Sequence, residues 1–246
     1  PPLDEQRRIV EVLERAAGIR RRREQALDKA RALIPALFLD MFGDPATNPK
    51  GWQTQPLGGV IAGFQGGRNL AAGNGTADGL RILRVSAVTS GAFNPAESKP
   101  APDGYEPPPE HFVQRGDLLI SRANTVDLVG AVALVDKHYE NVLLPDKIWR
   151  FLWKKPSSVE PEFVAAYFRT SAARTALRVM ATGTSDSMRN ISQRKLLRLP
   201  IPLPCFDLQR AFAERVADIR AIIAPQERSL DAARALERSL MARLLG

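Results

Sequence analysis

The chain of 246 residues has few of the residues on which several common kinds of site depend. Its single cysteine, Cys205, cannot form a disulfide within the chain, and with only two histidines, His111 and His138, it cannot complete a Cys/His zinc site. No run approaches the ~18 to 20 consecutive apolar residues of a transmembrane helix. No signal-peptide pattern opens the chain either, so we expect a cytoplasmic protein.

Acidic residues are in the minority: the chain has 27 Asp and Glu against 35 Lys and Arg, which gives a formal net charge of +8. The excess is local: residues 141–203 carry eleven basic and four acidic side chains, a net charge of +7. This segment contains TGTSDSMRN (182–190), which we expect to form a loop and whose small hydroxyl and amide side chains suit contacts with phosphate. The pattern favours nucleic-acid binding, and a solvated charged surface is the alternative explanation.

The motifs of common enzymes are missing. GGVIAGFQGG (58–67) has neither the glycine spacing of a dinucleotide site nor the Lys-Ser/Thr of a P-loop. YEPPPEHF (105–112) lacks the leading Asp, Asn or Ser of an amino-methyltransferase loop, and no G-x-S-x-G motif is present. The sequence therefore predicts no catalytic centre.

The two ends of the chain are copies of one repeat, which align at an offset of 203 residues without a gap. PPLDEQRRIVE (1–11) aligns with PCFDLQRAFAE (204–214), and LDKARALIPALFLDMFG (27–43) aligns with LDAARALERSLMARLLG (230–246). Identical pairs include Glu24 with Glu227 and Arg31 with Arg234. Apolar residues at heptad spacing predict one long helix in each copy.

Between the repeats, GDPATNPKGWQ (43–53) ends the helical pattern, and short β-rich runs alternate with turns. The pattern predicts one helix over 161–181, a short helix from Ser192, and strands at 81–88, 116–123, 129–136 and 147–154. The fold class is thus α+β: a globular mixed α/β domain at 44–203, flanked by long helices at 1–43 and 204–246 that form an antiparallel coiled coil.

The repeat also predicts an approximate two-fold axis between the helices. Arg20 and Arg23 interrupt the apolar seam of the first helix. We expect them near Gln226 and Glu227, where a polar layer would set the register of the pair.

Four stretches together resemble the specificity (S) subunit of type I restriction-modification systems. They are PPLDEQRRI (1–9), FGDPATNPKGW (42–52), GDLLISR (116–122) and SMRNISQRKLLRLPIPLP (187–204). Such a subunit alternates target-recognition domains with conserved helical regions. A single domain between two helices resembles its C-terminal half, and a natural half-size subunit that acts as a homodimer is the alternative.

The resemblance implies sequence-specific recognition of double-stranded DNA without catalysis, with one recognition domain reading one half of a bipartite target. The helices would dock DNA adenine methyltransferase (M) subunits, which alone would carry S-adenosylmethionine, and a restriction (R) translocase-nuclease subunit can join the complex. The chain itself is then expected to bind no cofactor. A stand-alone DNA-modifying enzyme and a coiled-coil scaffold without DNA affinity stay open as alternatives.

Candidate DNA-binding residues follow from residue type and position. Arginine can bind guanine O6 and N7, asparagine can bind adenine N6 and N7, and lysine and hydroxyl side chains suit phosphates. Each candidate is equally explained as a turn residue or a helix cap. The candidates are Arg68, Asn69, Arg122, Asn124, Thr125, Lys147, Thr184, Ser185, Ser187, Arg189 and Asn190.

Overall fold

The computed structural model describes residues 2–74, 79–185 and 188–245, with 184, 185, 244 and 245 described by their backbone alone. The α-helices are α1 (Leu3–Phe42), α2 (Pro161–Arg169), α3 (Ser171–Met180), α4 (Gln193–Leu196) and α5 (Phe206–Leu245). The strands are β1 (Thr54–Pro56), β2 (Ile61–Gly66), β3 (Arg81–Leu83), β4 (Ser98–Pro100), β5 (Leu118–Ser121), β6 (Ala123–Asn124), β7 (Val132–Leu134), β8 (Val142–Leu143), β9 (Ile148–Trp153), β10 (Thr182–Ser185), β11 (Met188–Asn190) and β12 (Pro200–Pro202). This content confirms the α+β fold class.

The chain divides into two compact units. The helical unit consists of Pro1–Leu37 and Glu214–Gly246, and the mixed unit consists of Phe38–Ala213. Among the described residues, no helix combines the length and apolar character needed to cross a membrane.

The largest sheet of the mixed unit has the order β2-β9-β5-β7, with every neighbouring pair antiparallel. Its central strand β5 is buried throughout, and Leu118, Leu119 and Ile120 have no exposed surface. Smaller sheets have the orders β4-β3-β8, β10-β11-β6 and β1-β12. Removal of the β5 side chains from water anchors the largest sheet in the core of the unit.

A cluster of four phenylalanines forms a second centre of packing in the mixed unit. Phe38 and Phe42 lie one helical turn apart on α1, and both contact the rings of Phe163 and Phe212 at centroid distances of 4.8–5.8 Å. One of these contacts is stacked and three are edge-to-face, which are the arrangements that aromatic pairs favour. The cluster therefore packs the last turns of α1 against α2 and the first turns of α5.

The helical unit is an antiparallel pair, as predicted. Arg31 donates a hydrogen bond to Glu227 at 2.7 Å, and Arg234 donates one to Glu24 at 3.1 Å. These four residues are the two identical pairs of the repeat, so the two contacts are the same contact seen twice across a local two-fold axis. The repeat thus appears in the structure as the symmetry of the helix pair.

The predicted polar layer has a different register. Arg20 donates through Nε to Glu237 at 2.7 Å, whereas Arg23 donates to the carbonyl oxygen of Ser229 at 2.5 Å. The expectation that Arg20 lies near Gln226 and Glu227 was therefore wrong. Because Glu237 lies ten residues beyond Glu227, the shift for Arg20 is about 15 Å along the helix axis.

The helix predicted over 161–181 is two helices. Thr170 adopts an extended conformation, ψ 152°, and its side chain accepts a hydrogen bond from the backbone N–H of Ala173 at 3.3 Å. A threonine that caps a new helix in this way ends the preceding one. Ser192 likewise caps the predicted short helix α4, since its hydroxyl accepts from the N–H of Lys195 at 3.3 Å.

Candidate nucleic-acid interface

Three loops meet at one end of the four-stranded sheet. Because β9 is antiparallel to β2 and β5, its first residues lie beside the last residues of those strands: Trp149 pairs with Gly66, and Ile148 pairs with Ser121. The segment after β2, the segment after β5 and the segment before β9 are therefore neighbours. We call residues 66–69, 122–125 and 145–147 together the loop end.

Backbone contacts hold these loops together. The N–H of Gly67 donates to the carbonyl oxygen of Pro145 at 2.9 Å, and the N–H of Arg122 donates to that of Lys147 at 3.0 Å. A Cβ atom on Gly67 would lie 1.8 Å from the carbonyl oxygen of Leu144, so only glycine permits this approach. The positions of the loop-end side chains are thus set by the backbone of the sheet.

The hairpin formed by β10 and β11 joins the loop end through strand β6. Residues 182–190 were expected to form a loop, but the described part pairs as β10 and β11, and β11 pairs with β6. Arg189 lies opposite Asn124, and the N–H of Ile191 donates to the carbonyl oxygen of Arg122 at 2.9 Å. Strand pairing therefore places the hairpin directly beside residues 122–125.

The structure brings the described candidates into one connected region of the mixed unit. Four lie on the hairpin, Thr184, Ser185, Arg189 and Asn190, and six lie on the loop end, Arg68, Asn69, Arg122, Asn124, Thr125 and Lys147. Ser187 lies outside the described residues. Candidates that are up to 122 residues apart in sequence thus share one edge of the fold.

Some candidates at the loop end have side chains available to a partner. Arg68, Asn69 and Thr125 are exposed, and Lys147 is half-buried. Within the described part of the chain, no carboxylate lies within 4.0 Å of the charged group of Arg68 or Lys147. These two side chains therefore present positive charge that no described carboxylate pairs with at this distance.

Other candidates already make contacts inside the protein. The Oδ1 atom of Asn124 accepts a hydrogen bond from the N–H of Thr125 at 2.8 Å. Arg189 donates to the carbonyl oxygen of Gly183 at 3.0 Å, across the hairpin. The carbonyl oxygen of Asn190 accepts from the hydroxyl of Thr182 at 3.3 Å. These bonds stabilise the hairpin and the turn after β6.

Arg122 makes several contacts inside the protein. Its Nε donates to the carbonyl oxygen of Asp146 at 2.7 Å, and its Nη2 donates to the carboxylate of Asp146 at 3.0 Å. Its guanidinium carbon lies 5.6 Å from the ring centroid of Trp149, within the range of a cation–π interaction. Arg122 is therefore held on two sides by residues of one neighbouring loop and strand.

Sequence reasoning missed Asp146 and Trp149 as parts of this region. A Cβ atom on Gly66 would lie 2.8 Å from Cδ1 of Trp149, so the glycine leaves space for the indole ring beside β2. The available signals were an acidic residue next to Lys147 and a tryptophan two residues after it, in the strand pattern 147–154. Neither signal indicates Arg122 as the partner, because that pairing depends on the order of the strands.

Several basic residues of segment 141–203 bind neutral groups, which leaves their charge in place. Arg174 donates to the carbonyl oxygens of Asp127 and Val129, and Lys195 donates to that of Met180. Burial, followed by the nearby charge of Arg178, lowers the pKa of the Arg174 guanidinium. Since a carbonyl carries no net charge, these contacts do not cancel the positive potential of the segment.

The described part of the chain contains no recognisable metal-binding site. There, no group of three or more His, Cys, Asp or Glu side chains lies close enough to hold a metal ion.

Two curated proteins are similar to the chain in sequence, although no family model matches it. The specificity subunit of the type I restriction enzyme EcoEI, from Escherichia coli, is 28% identical over 177 residues, which cover 71% of this chain and 30% of that protein. The EcoKI specificity subunit, from Escherichia coli strain K12, is 28% identical over 145 residues, which cover 58% of this chain and 31% of that protein. The match thus spans about a third of the length of each curated relative.

Two solved structures share the fold. The S subunit of a type I restriction-modification system from M. genitalium superposes with a TM-score of 0.58 at 11% identity, over 98% of this chain and 61% of that one. A chain from a study of complex assembly and conformational transition in the type I R-M system superposes with a TM-score of 0.57 at 20% identity, over 99% of this chain and 60% of that one. The resemblance found in the sequence is therefore confirmed: this chain is similar in sequence and in fold to the specificity subunits of type I restriction enzymes.

Proposed function

We propose that the chain is a DNA-recognition unit of a type I restriction-modification system, which reads one half of a bipartite double-stranded target and has no catalytic role. The observation that carries this proposal is the convergence of the candidates, from four separated parts of the sequence, on the loop end and its hairpin. A DNA-reading surface needs cations for phosphates beside side chains that reach base edges. The loop end has both kinds of group.

The cations at the loop end suit phosphates. Arg68 is exposed and Lys147 is half-buried, and Thr125 adds an exposed hydroxyl. Contacts of this kind release counterions from DNA, so each one adds to the salt dependence of binding. Arg122, Asn124, Arg189 and Asn190 are the side chains that we assign to base edges, with the hydroxyl residues of the hairpin assigned to the backbone.

The helical unit has a separate part in the proposal. Its two-fold symmetry offers two equivalent surfaces to DNA adenine methyltransferase subunits, and a restriction subunit would join that assembly. S-adenosylmethionine would be bound by the methyltransferase subunits alone. A homodimer of the chain would read both halves of a target if the chain acts as a half-size subunit.

The experiment is a binding titration of the full chain against duplex DNA at several salt concentrations. We expect the variant with both Arg68→Ala and Lys147→Ala to bind more weakly than the wild type. Its plot of log affinity against log salt should be shallower by about 0.9 for each phosphate contact removed. Fluorescence anisotropy of a labelled duplex measures both quantities.

Arg115→Ala is the matched control. Arg115 is exposed and precedes β5, whereas Arg122 follows it, so the two lie at opposite ends of this strand, whose four residues span about 13 Å. The control removes one exposed cation without touching the loop end. Equal losses in the control and in the double variant would contradict the proposed interface, and the absence of salt-dependent binding by the wild type would contradict DNA recognition itself.

A further inference from the structure

The ion pair between Arg122 and Asp146 has a geometry that suits a single base pair. Nε and Nη2 of Arg122 are used by the carbonyl and the carboxylate of the same residue, Asp146, at 2.7 and 3.0 Å. These two bonds occupy one edge of the planar guanidinium. The Nη1 atom and the second hydrogen of Nη2 form the other edge, to which no described residue is hydrogen-bonded.

The pair is fixed in place before any ligand arrives. The backbone of Arg122 is bonded on both sides, since its N–H donates to Lys147 at 3.0 Å and its carbonyl oxygen accepts from Ile191 at 2.9 Å. The face of the guanidinium lies 5.6 Å from the centroid of Trp149. An arginine held at its backbone, one edge and one face loses little conformational freedom when the remaining edge binds a ligand.

The pair is also accessible. The side chains of Arg122 and Asp146 are 29% and 26% exposed, which distinguishes them from the buried pair of Arg150 and Asp117, at 9% and 13%. Arg150 lies inside the sheet and is bonded there to the carbonyl oxygen of Glu110, so it serves the fold. Arg122 and Asp146 lie instead on the loop end, next to the half-buried Lys147.

We infer that Arg122 and Asp146 together read one G·C base pair in the major groove, an assignment that rests on the proposed DNA-recognition function. The free edge of Arg122 donates to O6 and N7 of guanine, and a free lone pair of the Asp146 carboxylate accepts from N4 of the paired cytosine. Guanine O6 and cytosine N4 are adjacent in the groove, as the two side chains are in the protein. An A·T pair offers an amino group where Arg122 needs an acceptor.

The assignment gives Asp146 a role in binding specificity. A carboxylate beside a DNA surface repels phosphates, so Asp146 weakens non-specific binding while it orients Arg122. Removing its charge should therefore raise affinity for unrelated DNA and lower discrimination at one position. If Asp146 only supported the fold, its substitution would not raise the affinity for unrelated DNA while lowering discrimination at one position.

The test selects bound sequences from a library of randomised DNA duplexes with the full chain, and then measures affinity for each base pair at each selected position. We expect one position at which the wild type prefers G·C by about 5- to 150-fold. Asp146→Asn keeps the shape of the side chain but replaces one acceptor oxygen by a donor. It should abolish most of that preference and leave the other positions unchanged.

Arg122→Gln extends the test, because glutamine pairs with adenine N6 and N7 and should move the preference at the same position toward A·T. Arg115→Ala is the control and should keep the wild-type preferences. Thermal melting checks that each variant folds, and Arg122→Lys, which keeps the charge but lacks the planar fork, replaces any variant that does not. Lysine is expected to lose the preference as well.

Three outcomes would overturn the inference. The first is that the Asp146 and Arg122 variants keep every preference of the wild type. The second is that they weaken binding to all four base pairs equally, which is the signature of a structural role. The third is that the wild type binds DNA without selecting any sequence. This outcome would contradict the proposed function as well, whereas the first two outcomes would contradict only the role of Arg122 and Asp146.

Discussion

The two units of the chain are held together in different ways. In the mixed unit, β5 and the four-phenylalanine cluster are removed from water, with Phe38, Phe163 and Phe212 at 0–1% exposure. In the helical unit, the apolar cluster is small, with Leu27, Ile223 and Leu230 at its centre, and charged pairs flank it. Burial therefore stabilises the mixed unit, whereas in the helical unit the charges mainly choose the register of the helices.

The largest effect is expected in the phenylalanine cluster. Phe163→Ala should lower the free energy of unfolding of the mixed unit by about 3–5 kcal/mol, because it leaves a cavity among three other rings. The tryptophans, Trp52, Trp149 and Trp153, all lie in this unit, so their fluorescence during urea unfolding measures it. Val179→Ala, at a side chain that is 81% exposed, should change the value by less than about 0.5 kcal/mol.

A smaller effect is expected from the apolar centre of the helical unit. Leu230 is 4% exposed and lies on the local two-fold axis beside its repeat equivalent, Leu27. Leu230→Ala should cost about 2 kcal/mol, the low end of the range for leucine, since its cluster is small and close to solvent. Faster amide hydrogen exchange in residues 24–34, measured by mass spectrometry, is the expected sign, and unchanged exchange there would contradict the pairing.

The reciprocal ion pairs should contribute less again. A double-mutant cycle on Arg31 and Glu227, whose side chains are 55% and 44% exposed, is expected to give a coupling of about 0.2–1 kcal/mol. Arg31→Glu alone should be unfavourable, and adding Glu227→Arg should recover most of the loss. A coupling of zero would mean that this contact does not select the register.

The smallest effect is expected on the stability of the helical unit at low pH. A hydrogen bond from Arg234, opposed by partial desolvation, lowers the pKa of Glu24 in the folded chain. Its stabilising contribution is therefore present above the pKa of an unfolded glutamate and is lost as the pH falls through the lower, folded value. Helical signal during acid titration should fall at higher pH in Arg234→Gln than in the wild type, and coincident curves would contradict the assignment.

The symmetry of the helical unit could be predicted from the sequence, but its register could not. Glu24 with Glu227 and Arg31 with Arg234 are identical across the repeat, and a repeat in an antiparallel pair implies a two-fold axis. A heptad seam, however, looks nearly the same after a shift of one repeat, because apolar residues meet apolar residues in both registers. The choice depends on contacts between distant side chains, such as Arg20 with Glu237.

The candidate interface could likewise be predicted only in part from the sequence. Residue type and local composition indicated Arg68, Arg122, Lys147 and the hairpin, because polar side chains after strands and a basic segment are visible in the sequence. Their proximity follows from the order β2-β9-β5-β7 and from the pairing of β6 with β11, which no local pattern encodes. The contact of Arg122 with Asp146 and Trp149 depends on that order and could not be predicted.

Photocrosslinking tests the central claim, that the loop end contacts DNA, most directly. A photoreactive amino acid would replace Thr125 in one variant and Arg115 in a second, since both residues are exposed and lie at opposite ends of the same sheet. With duplex DNA bound, irradiation should join the first variant to DNA and leave the second unlinked. Crosslinks from position 115 and none from position 125 would contradict the account.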